Sequence, residues 1–335
     1  MHELEKSRPG LQKILNKPIR DLGLRIEDSP LQRLVQQLYR ELEQKKLTKF
    51  RPLCYLTDEW GCPSGEPVIG IPFYLANADL AHLEKEMNDL EDAREIMMYL
   101  RHEAGHAFNY AYKLHQTPEW KQLFGPFRRP YHDNYRPIPF SRNFVRHLAG
   151  WYAQKHPDED FAETFAVWLT PRSAWRKRYR GWGAMAKLQY MNRIARTLGN
   201  ADPVRRRGRT DITVDEMQAT VAEFYQRVND EIPLVDLALD TDLRDIFDAS
   251  RRRKTAQPAH QFLHAQRKAV VDKVAYWTGA QRPLIKKLIE VIERRIEELE
   301  LFSDSARESD HLIQITVYVT ALAMNYMARG KFVHP

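Results

Sequence analysis

The sequence has 335 residues but only two cysteines, Cys54 and Cys62, and no long apolar run. Two cysteines cannot form a disulfide framework, and without a CxxC pair they do not make a cysteine zinc site. We expect both thiols to be reduced, which favours the cytoplasm. The most apolar stretch, residues 313–327, is shorter than the roughly 20 residues of a membrane span, so we expect a buried helix and no membrane association. The N-terminal residues lack the apolar core of a signal peptide, so we expect no export by that route.

The composition, with 43% hydrophobic and 29% charged residues, is typical of a folded chain rather than a disordered one. The net charge of +7 comes largely from basic clusters at residues 171–182, 203–209 and 250–254. Such clusters can bind nucleic acid or attract acidic substrates, but no nucleic-acid-binding motif accompanies them. We interpret them as solvated helix faces and basic loops, and we expect no nucleic-acid partner.

Hydrophobic periodicity predicts a mostly helical chain with a few strands. Residues 1–50 have a helical pattern, and two strand-like runs follow at 52–57 and 68–76. Because Pro72 cannot donate a ladder hydrogen bond, the second run is predicted to be an edge strand. The later predicted helices are, in chain order, residues 90–114, 157–169, 172–198, 214–229, 258–278, 281–301 and 309–329.

The composition changes after the stretch 199–211, which is rich in glycine, aspartate, proline and arginine, and we place a domain boundary near residues 205–212. We predict an N-terminal helical segment (1–50), a catalytic domain (51–205) and a C-terminal helical domain (212–335). The predicted fold class is α+β, mostly helical. The loop 125–144 is rich in proline, aromatic residues and arginine, and long ordered loops of this kind are often functional.

One predicted helix carries an HExxH motif, from His102 to His106. Residues four apart lie on one helix face, so the two imidazoles can chelate one ion. Zinc suits nitrogen ligands and lowers the pKa of its bound water to about 7, and Glu103 is placed to take a proton from that water. We therefore predict one Zn²⁺ per chain, bound by His102 and His106, with Glu103 as general base. Gly105 weakens the helix, so its presence suggests that another backbone comes close there.

A catalytic zinc ion usually has three protein ligands. The extended motif HExxHxxGxxH is not present, because Asn109 and Tyr112 stand where its glycine and third histidine would be. A carboxylate from a second helix is the other common solution. In the helix predicted at 157–169, Glu159 and Glu163 stand four apart on one face.

We favour Glu159 as the third ligand, with Asp160 and Glu163 as rivals. Glu163 is predicted to accept the far N–H of a zinc-bound histidine and so to set its tautomer. Carboxylates at 158–160 are also what any helix favours in its first turn, because they oppose the helix dipole. Ala162 is small enough to let this helix pack closely on Gly105.

HEAGH, a tyrosine at position 152, a glutamate seven residues later and then FAETF together resemble the gluzincin clan. More narrowly, the sequence is similar to a bacterial group of zinc-binding metallopeptidases and to the catalytic domain of the anthrax lethal factor-like peptidases. The resemblance covers roughly residues 95–170 and implies a zincin-like catalytic domain with a small mixed sheet. It also implies that the metal ligands are His102, His106 and Glu159, that Glu103 is the base, and that Tyr152 stabilises the oxyanion.

The activity that these features indicate is hydrolysis of a peptide or related amide bond in a peptide or protein substrate. The edge strand at 68–74 would pair with an extended substrate. A second interpretation is a non-catalytic zinc-containing protein whose basic surface holds an acidic or nucleic-acid partner, although a structural zinc ion would not need Glu103. A third is an amidase that acts on a non-protein conjugate. Among the other histidines, His132 and His156 fall near the predicted cleft.

Overall fold

Helices dominate the computed structural model, which describes residues 13–87, 90–131, 135, 137–228, 239–248 and 256–329. The chain forms two compact units. Unit 1 comprises Met1–Tyr135, Phe140–Leu148 and Tyr152–Asp230, and unit 2 comprises Arg136–Pro139, Ala149–Trp151 and Glu231–Pro335. The small strands and the helical content agree with the predicted fold class, α+β and mostly helical.

Within its described residues, unit 1 contains two strands and most of the shorter helices. Its strands β1 (Leu53–Thr57) and β2 (Val68–Pro72) form a parallel pair. Its α-helices within the described residues are α1 (Leu31–Gln44), α2 (Ala78–Met87), α3 (Ala93–Ala111), α4 (Pro118–Phe124), α5 (Pro157–Leu169), α6 (Trp175–Arg178), α7 (Ala184–Leu198) and α8 (Val221–Val228).

The core of unit 1 is built around α3, the helix that carries the HExxH motif. Helix α3 packs chiefly against α5 and also contacts α1 and β2, while α5 packs against α7 on its other side. Side chains from α3 and α5, such as Phe108, Phe161 and Phe165, are completely buried. The two helices with the predicted metal ligands therefore lie in the middle of this core, where packing holds them rigidly.

Both helices begin with well-formed caps. At the start of α3, the Asp92 side chain accepts hydrogen bonds from the backbone N–H groups of Arg94 and Glu95. The Glu95 carboxylate accepts a hydrogen bond from the Asp92 backbone N–H. At the start of α5, the His156 ring accepts the Asp158 N–H, and Pro157 occupies the first helical position. These caps satisfy N–H groups that a helix leaves unpaired. Helix α5 spans the predicted residues 157–169, so that prediction is confirmed.

Two predicted helices in unit 1 were wrong, because each is divided in the structure. The single helix expected at 172–198 is two helices, α6 and α7, separated by a break. Gly181 in this break has a φ of 77°, in the left-handed region that glycine adopts readily, and Ala174, which precedes α6, has a φ of 47°. The expected helix at 214–229 is also divided, into a 3₁₀ turn at Val214–Glu216 and α8.

The sheet of unit 1 is smaller than expected. The predicted strand at 68–76 ends at Pro72 and continues as a 3₁₀ helix, Phe73–Ala76. Strand β2 also has a neighbour on the side away from β1, since Gly61 and Gly70 exchange backbone hydrogen bonds in an isolated antiparallel bridge. The outer edge of β2 is thus already paired at Gly70, and it is not free there to pair with a substrate.

The described residues of unit 2 form helices and one small strand pair. Its elements within the described residues are α9 (Asp240–Ile246), β3 (Ala256–Pro258), α10 (Ala259–Thr278), α11 (Arg282–Glu298), β4 (Phe302–Asp304) and α12 (Glu308–Arg329). Helices α10, α11 and α12 lie within four residues of the predicted helices, which are therefore confirmed. Strands β3 and β4, an antiparallel pair, were not predicted.

The predicted boundary at 205–212 stays a prediction. The residues that follow it, Val214–Glu216 and α8, belong to unit 1, where Ile19 and Arg20 donate backbone hydrogen bonds to Ala219 and Met217. Across the described ranges, no helix combines the length and the apolarity that crossing a membrane requires.

Candidate metal centre

The close approach of α3 and α5 depends on Gly105. A Cβ atom at this position would lie 2.7 Å from the Ala162 Cα and 2.9 Å from the Ala162 carbonyl oxygen. These distances are shorter than van der Waals contact, so only glycine permits this helix spacing. The expectation that another backbone comes close to Gly105, with Ala162 on the facing helix, is confirmed.

This packing brings three of the predicted ligands together. The His102 Nε2 and His106 Nε2 atoms lie 3.0 Å and 3.2 Å from the Glu159 Oε2 atom, and 3.1 Å from each other. A tetrahedral zinc ion with ligands at about 2.0–2.1 Å separates its ligand atoms by about 3.3 Å. The three side chains are buried, and among the described residues no other group of three histidine, cysteine or carboxylate side chains comes as close. The donor set, two imidazoles and one carboxylate, can therefore hold a metal ion of this size.

Glu103 lies on the same cavity as the three candidate ligands. Burial raises the pKa of its carboxyl group, while His102 and His106 act in the opposite direction. A carboxyl group with a raised pKa is suited to accept and return protons near neutral pH. The structure thus places the predicted base beside the predicted ligands.

The outward-facing nitrogen of each histidine has a carboxylate partner. His102 Nδ1 lies 3.0 Å from the Glu163 Oε1 atom, and Glu163 also accepts the backbone N–H groups of His147 and Leu148. A hydrogen on Nδ1 leaves the Nε2 lone pair facing the other candidate ligands, as metal binding requires. Glu163 is therefore in the place that the sequence analysis expected, although its role stays a prediction.

The partner of the second histidine, Asp158, was missed. His106 Nδ1 lies 2.9 Å from the Asp158 Oδ2 atom, which also accepts the Tyr110 hydroxyl. The Asn109 amide donates to Asp158 Oδ1 at 2.7 Å. In the sequence, nothing distinguishes Asp158 from an ordinary carboxylate in the first turn of a helix.

Asp160, a rival for the third ligand, points elsewhere. Its Oδ2 atom is 2.5 Å from the Lys187 Nζ atom, and both side chains are buried. Burial raises the pKa of Asp160 to about 7, against the opposing effect of Lys187. Since Glu163 is also occupied, by His102, Glu159 is the carboxylate that faces both histidines.

The candidate ligands open onto a cavity of about 510 Å³. Tyr152 lines it, with its ring centroid 5.5 Å from that of His102. Residues of the segment 60–64 form another part of the wall, whereas the sequence predicted that the strand at 68–74 would lie beside the substrate. The wall residues other than the candidate ligands, Glu103 and Tyr152 are Trp60, Gly61, Cys62, Ser64, Tyr110, Phe127, Arg129, Tyr131, His156 and Asp158.

Tyr131, from the proline- and arginine-rich loop, was not predicted as a site residue. Its hydroxyl donates to the Glu159 Oε1 atom and lies 3.5 Å from the Tyr152 hydroxyl. Of the two histidines noted near the cleft, His156 caps α5 and lines the cavity. His132 lies outside the described residues.

Part of the predicted basic surface is neutralised within the chain. In the cluster 203–209, Arg205 pairs with Glu66, and Arg206 pairs with Asp202 at 2.9 Å. The cluster 171–182 keeps Arg172, Arg176 and other side chains exposed. The cluster 250–254 lies outside the described residues.

Comparison with families of known proteins relates part of the chain to a described family. Residues 63–178 match a family model described as "Putative zinc-binding metallo-peptidase". The matched segment includes both histidines of the HExxH motif, Glu159 and their carboxylate partners. No curated protein and no solved structure shows significant similarity to the chain.

Proposed function

We propose that this chain is a zinc-dependent metallopeptidase of the gluzincin type, with one zinc ion held by His102, His106 and Glu159. The observation that carries the proposal is the buried cluster of these three side chains, with Glu103 on the same cavity. The family match over residues 63–178 supports a metallopeptidase. A zincin-like catalytic domain remains part of this proposal.

The chemistry follows from the residues around the cavity. When bound, a zinc ion would lower the pKa of a water molecule to about 7 and polarise the substrate carbonyl group. Glu103 takes a proton from the attacking water and passes it to the leaving amine. Glu163 and Asp158 hold the histidine rings in the tautomer that leaves each Nε2 lone pair free.

Tyr152 is proposed to donate a hydrogen bond to the developing oxyanion. Its ring packs beside His102, and its side chain lines the cavity. A donor of this kind contributes about 10²–10³-fold in rate. Because the β2 edge is paired at Gly70, we propose that the wall segment 60–64 contacts an extended peptide or protein substrate.

The non-catalytic interpretation has less support. It needs the basic surface to hold an acidic or nucleic-acid partner, yet Arg205 and Arg206 are already paired with carboxylates of the chain. We keep the cytoplasm as the proposed location, since Cys54 and Cys62 are both free thiols.

Metal analysis and a peptide-library cleavage screen, with two variants, test the proposal. Wild-type protein is expected to carry about one zinc ion per chain, and His106→Ala to lose it. Glu103→Gln is expected to keep zinc and the wild-type melting temperature while turnover falls about 10²–10⁴-fold, because it removes the base without removing a ligand.

Two results would count against this mechanism. Full zinc content in His106→Ala would contradict the ligand assignment, and wild-type turnover by Glu103→Gln would contradict the assignment of the base. Zinc-loaded protein that cleaves no peptide but binds nucleic acid in a salt-dependent manner would favour the non-catalytic interpretation.

A further inference from the structure

Each candidate ligand in this site has a second polar atom that faces away from the other two ligands. For the two histidines this atom is Nδ1, which is bonded to Glu163 in His102 and to Asp158 in His106. For Glu159 the corresponding atom is Oε1, and its partner is the hydroxyl of Tyr131. The third ligand therefore has an outer hydrogen-bond partner, as the first two have.

The two carboxylate oxygens of Glu159 have different surroundings. Oε2 lies 3.0 Å from His102 Nε2 and 3.2 Å from His106 Nε2, whereas Oε1 accepts the Tyr131 hydroxyl. A carboxylate can turn about its terminal bond and present either oxygen, or both, to an ion. A donor on Oε1 restricts this rotation and keeps Oε2 toward the histidines.

We propose that Tyr131 is the positioning residue of the third metal ligand: its hydroxyl holds Glu159 Oε1 so that Oε2 points at the two histidine Nε2 atoms. This inference rests on the metal site of the proposed function. It does not depend on the reaction that the site performs.

The surroundings of Tyr131 hold its ring in this position. The Lys155 ammonium group lies 4.5 Å from the ring centroid, and the His156 ring centroid lies 5.1 Å away. His156 in turn caps α5 and bonds to the Arg129 carbonyl oxygen at 2.9 Å. The proline- and arginine-rich loop is thus attached, next to Tyr131, to the first turn of the helix that carries Glu159.

Tyr152 offers a matched comparison, since it is a second tyrosine on the same cavity. Its ring packs against His102, and its hydroxyl lies 3.5 Å from that of Tyr131. The hydrogen bond to Glu159 comes from Tyr131 and not from Tyr152. Removing the hydroxyl from each tyrosine in turn therefore separates a residue that positions a ligand from one that contacts the substrate.

The experiment compares Tyr131→Phe with Tyr152→Phe. The zinc dissociation constant of each purified protein is measured by competition with a chromophoric chelator, and kcat and KM are measured at saturating zinc. We expect Tyr131→Phe to weaken zinc binding about 10–100-fold, the usual effect of losing a ligand's outer partner. We expect Tyr152→Phe to keep the wild-type zinc affinity and to lose kcat instead.

A second readout does not involve activity. In the cobalt-substituted proteins, Tyr131→Phe is expected to change the visible absorption bands, because they respond to the geometry of the ligands, and Tyr152→Phe to change them less. Since Tyr131 is 47% exposed, its phenylalanine variant is expected to fold, which the melting temperature verifies.

Wild-type zinc affinity and an unchanged cobalt spectrum in Tyr131→Phe would overturn the inference. So would unchanged affinity with a large loss of kcat, which would make Tyr131 an oxyanion donor. If wild-type protein binds zinc but hydrolyses nothing, the proposed reaction fails and this inference remains testable. If wild-type protein binds no zinc, the metal centre and this inference both fail.

Discussion

The two units of this protein use burial in different ways. In unit 2 the core is largely aliphatic, with Leu288, Ile289 and Ile292 on α11 fully buried, and its buried ionisable side chains among the described residues are His311 and Asp304. In unit 1, helices α3 and α5 bury ionisable side chains along the face where they meet, among them His102, His106 and Glu159. Burying a charge costs stability that a partner repays only in part, so we expect α3 and α5 to stabilise unit 1 less than an apolar helix pair would.

The buried charges of unit 1 are compensated by specific partners. Arg101, on α3, makes two hydrogen bonds to Glu41 at 2.7 Å and 2.8 Å, and Lys187 pairs with Asp160. The histidines have Glu163 and Asp158, as described above. Apolar side chains would fill the same volume at a lower cost in free energy. The buried charged pairs are therefore better explained by a chemical function than by a contribution to stability. The contrast with unit 2 therefore indicates where the function lies.

The contrast predicts that a truncation in unit 2 affects stability alone. Leu288→Ala removes a fully buried side chain and is expected to lower the free energy of unfolding of unit 2 by about 2–5 kcal/mol. Zinc affinity should not change, since the candidate metal centre lies within unit 1. Urea denaturation and chelator competition measure the two quantities.

An exposed residue of the same unit provides the control. The Ile313 side chain is 64% exposed, and Ile313→Ala is expected to change the free energy of unfolding by less than about 0.5 kcal/mol. If Leu288→Ala leaves the protein folded but weakens zinc binding, the distinction between a stabilising core and a functional one is wrong.

The next prediction concerns the helix contact in unit 1. Gly105→Ala places a Cβ atom 2.7 Å from the Ala162 Cα, so α5 must move. Overpacking of this kind costs about 1–3 kcal/mol, and the gain in helix propensity, about 0.5–1 kcal/mol, offsets only part of it. We expect a lower melting temperature and weaker zinc binding, because the ligands on the two helices separate.

Gly61→Ala is the control for this variant. Apart from Gly61 and its two chain neighbours, no described atom lies within 4 Å of a Cβ atom built there, so the same substitution meets open space. Its melting temperature should stay close to that of the wild type. Equal effects of the two substitutions would mean that close helix packing is not the reason for glycine at position 105.

The sequence predicted those parts of the site that depend on local spacing. The two histidines are four residues apart on a helix, and α5 has Pro157 at its start and Pro171 shortly after its end, so both helices could be placed from short-range patterns. The breaks near Gly181 and after Pro72 were not predicted, because hydrophobic periodicity does not reveal a local change of backbone conformation. These two misses changed the boundaries of elements but not the face on which the ligands lie.

The missed site residues depend on tertiary contacts. Asp158 reaches His106 only because the contact between Gly105 and Ala162 sets how α5 is turned toward α3. Tyr131 belongs to an irregular loop, where no period indicates which side chain points inward. The positions of the candidate ligands, which follow helical spacing, were therefore predictable, whereas the partners of these side chains required the folded arrangement.

The smallest expected effect tests these partners directly. Asp158→Asn keeps the size of the side chain but replaces an oxygen with an amide group. One carboxylate oxygen accepts both His106 Nδ1 and the Tyr110 hydroxyl, and the other accepts Asn109, so an asparagine cannot satisfy all three donors. We expect zinc affinity to fall about 10–100-fold, as for other partners of metal-bound histidines.

Asp160→Asn makes the same chemical change two residues further along the same helix. The two variants therefore compare two buried carboxylates within α5, as the earlier variants compare the two units. Asp160 pairs with Lys187 rather than with a histidine, so this variant should lower the melting temperature by leaving a buried ammonium group without its carboxylate. Its zinc affinity should fall less than that of Asp158→Asn. If Asp158→Asn loses more zinc affinity and Asp160→Asn loses more thermal stability, the first carboxylate is buried to hold a metal ligand and the second is buried to join two helices. If both variants lost zinc affinity equally, the contribution of Asp158 would not be its hydrogen bond to His106. The buried charges of unit 1 would then share one structural role.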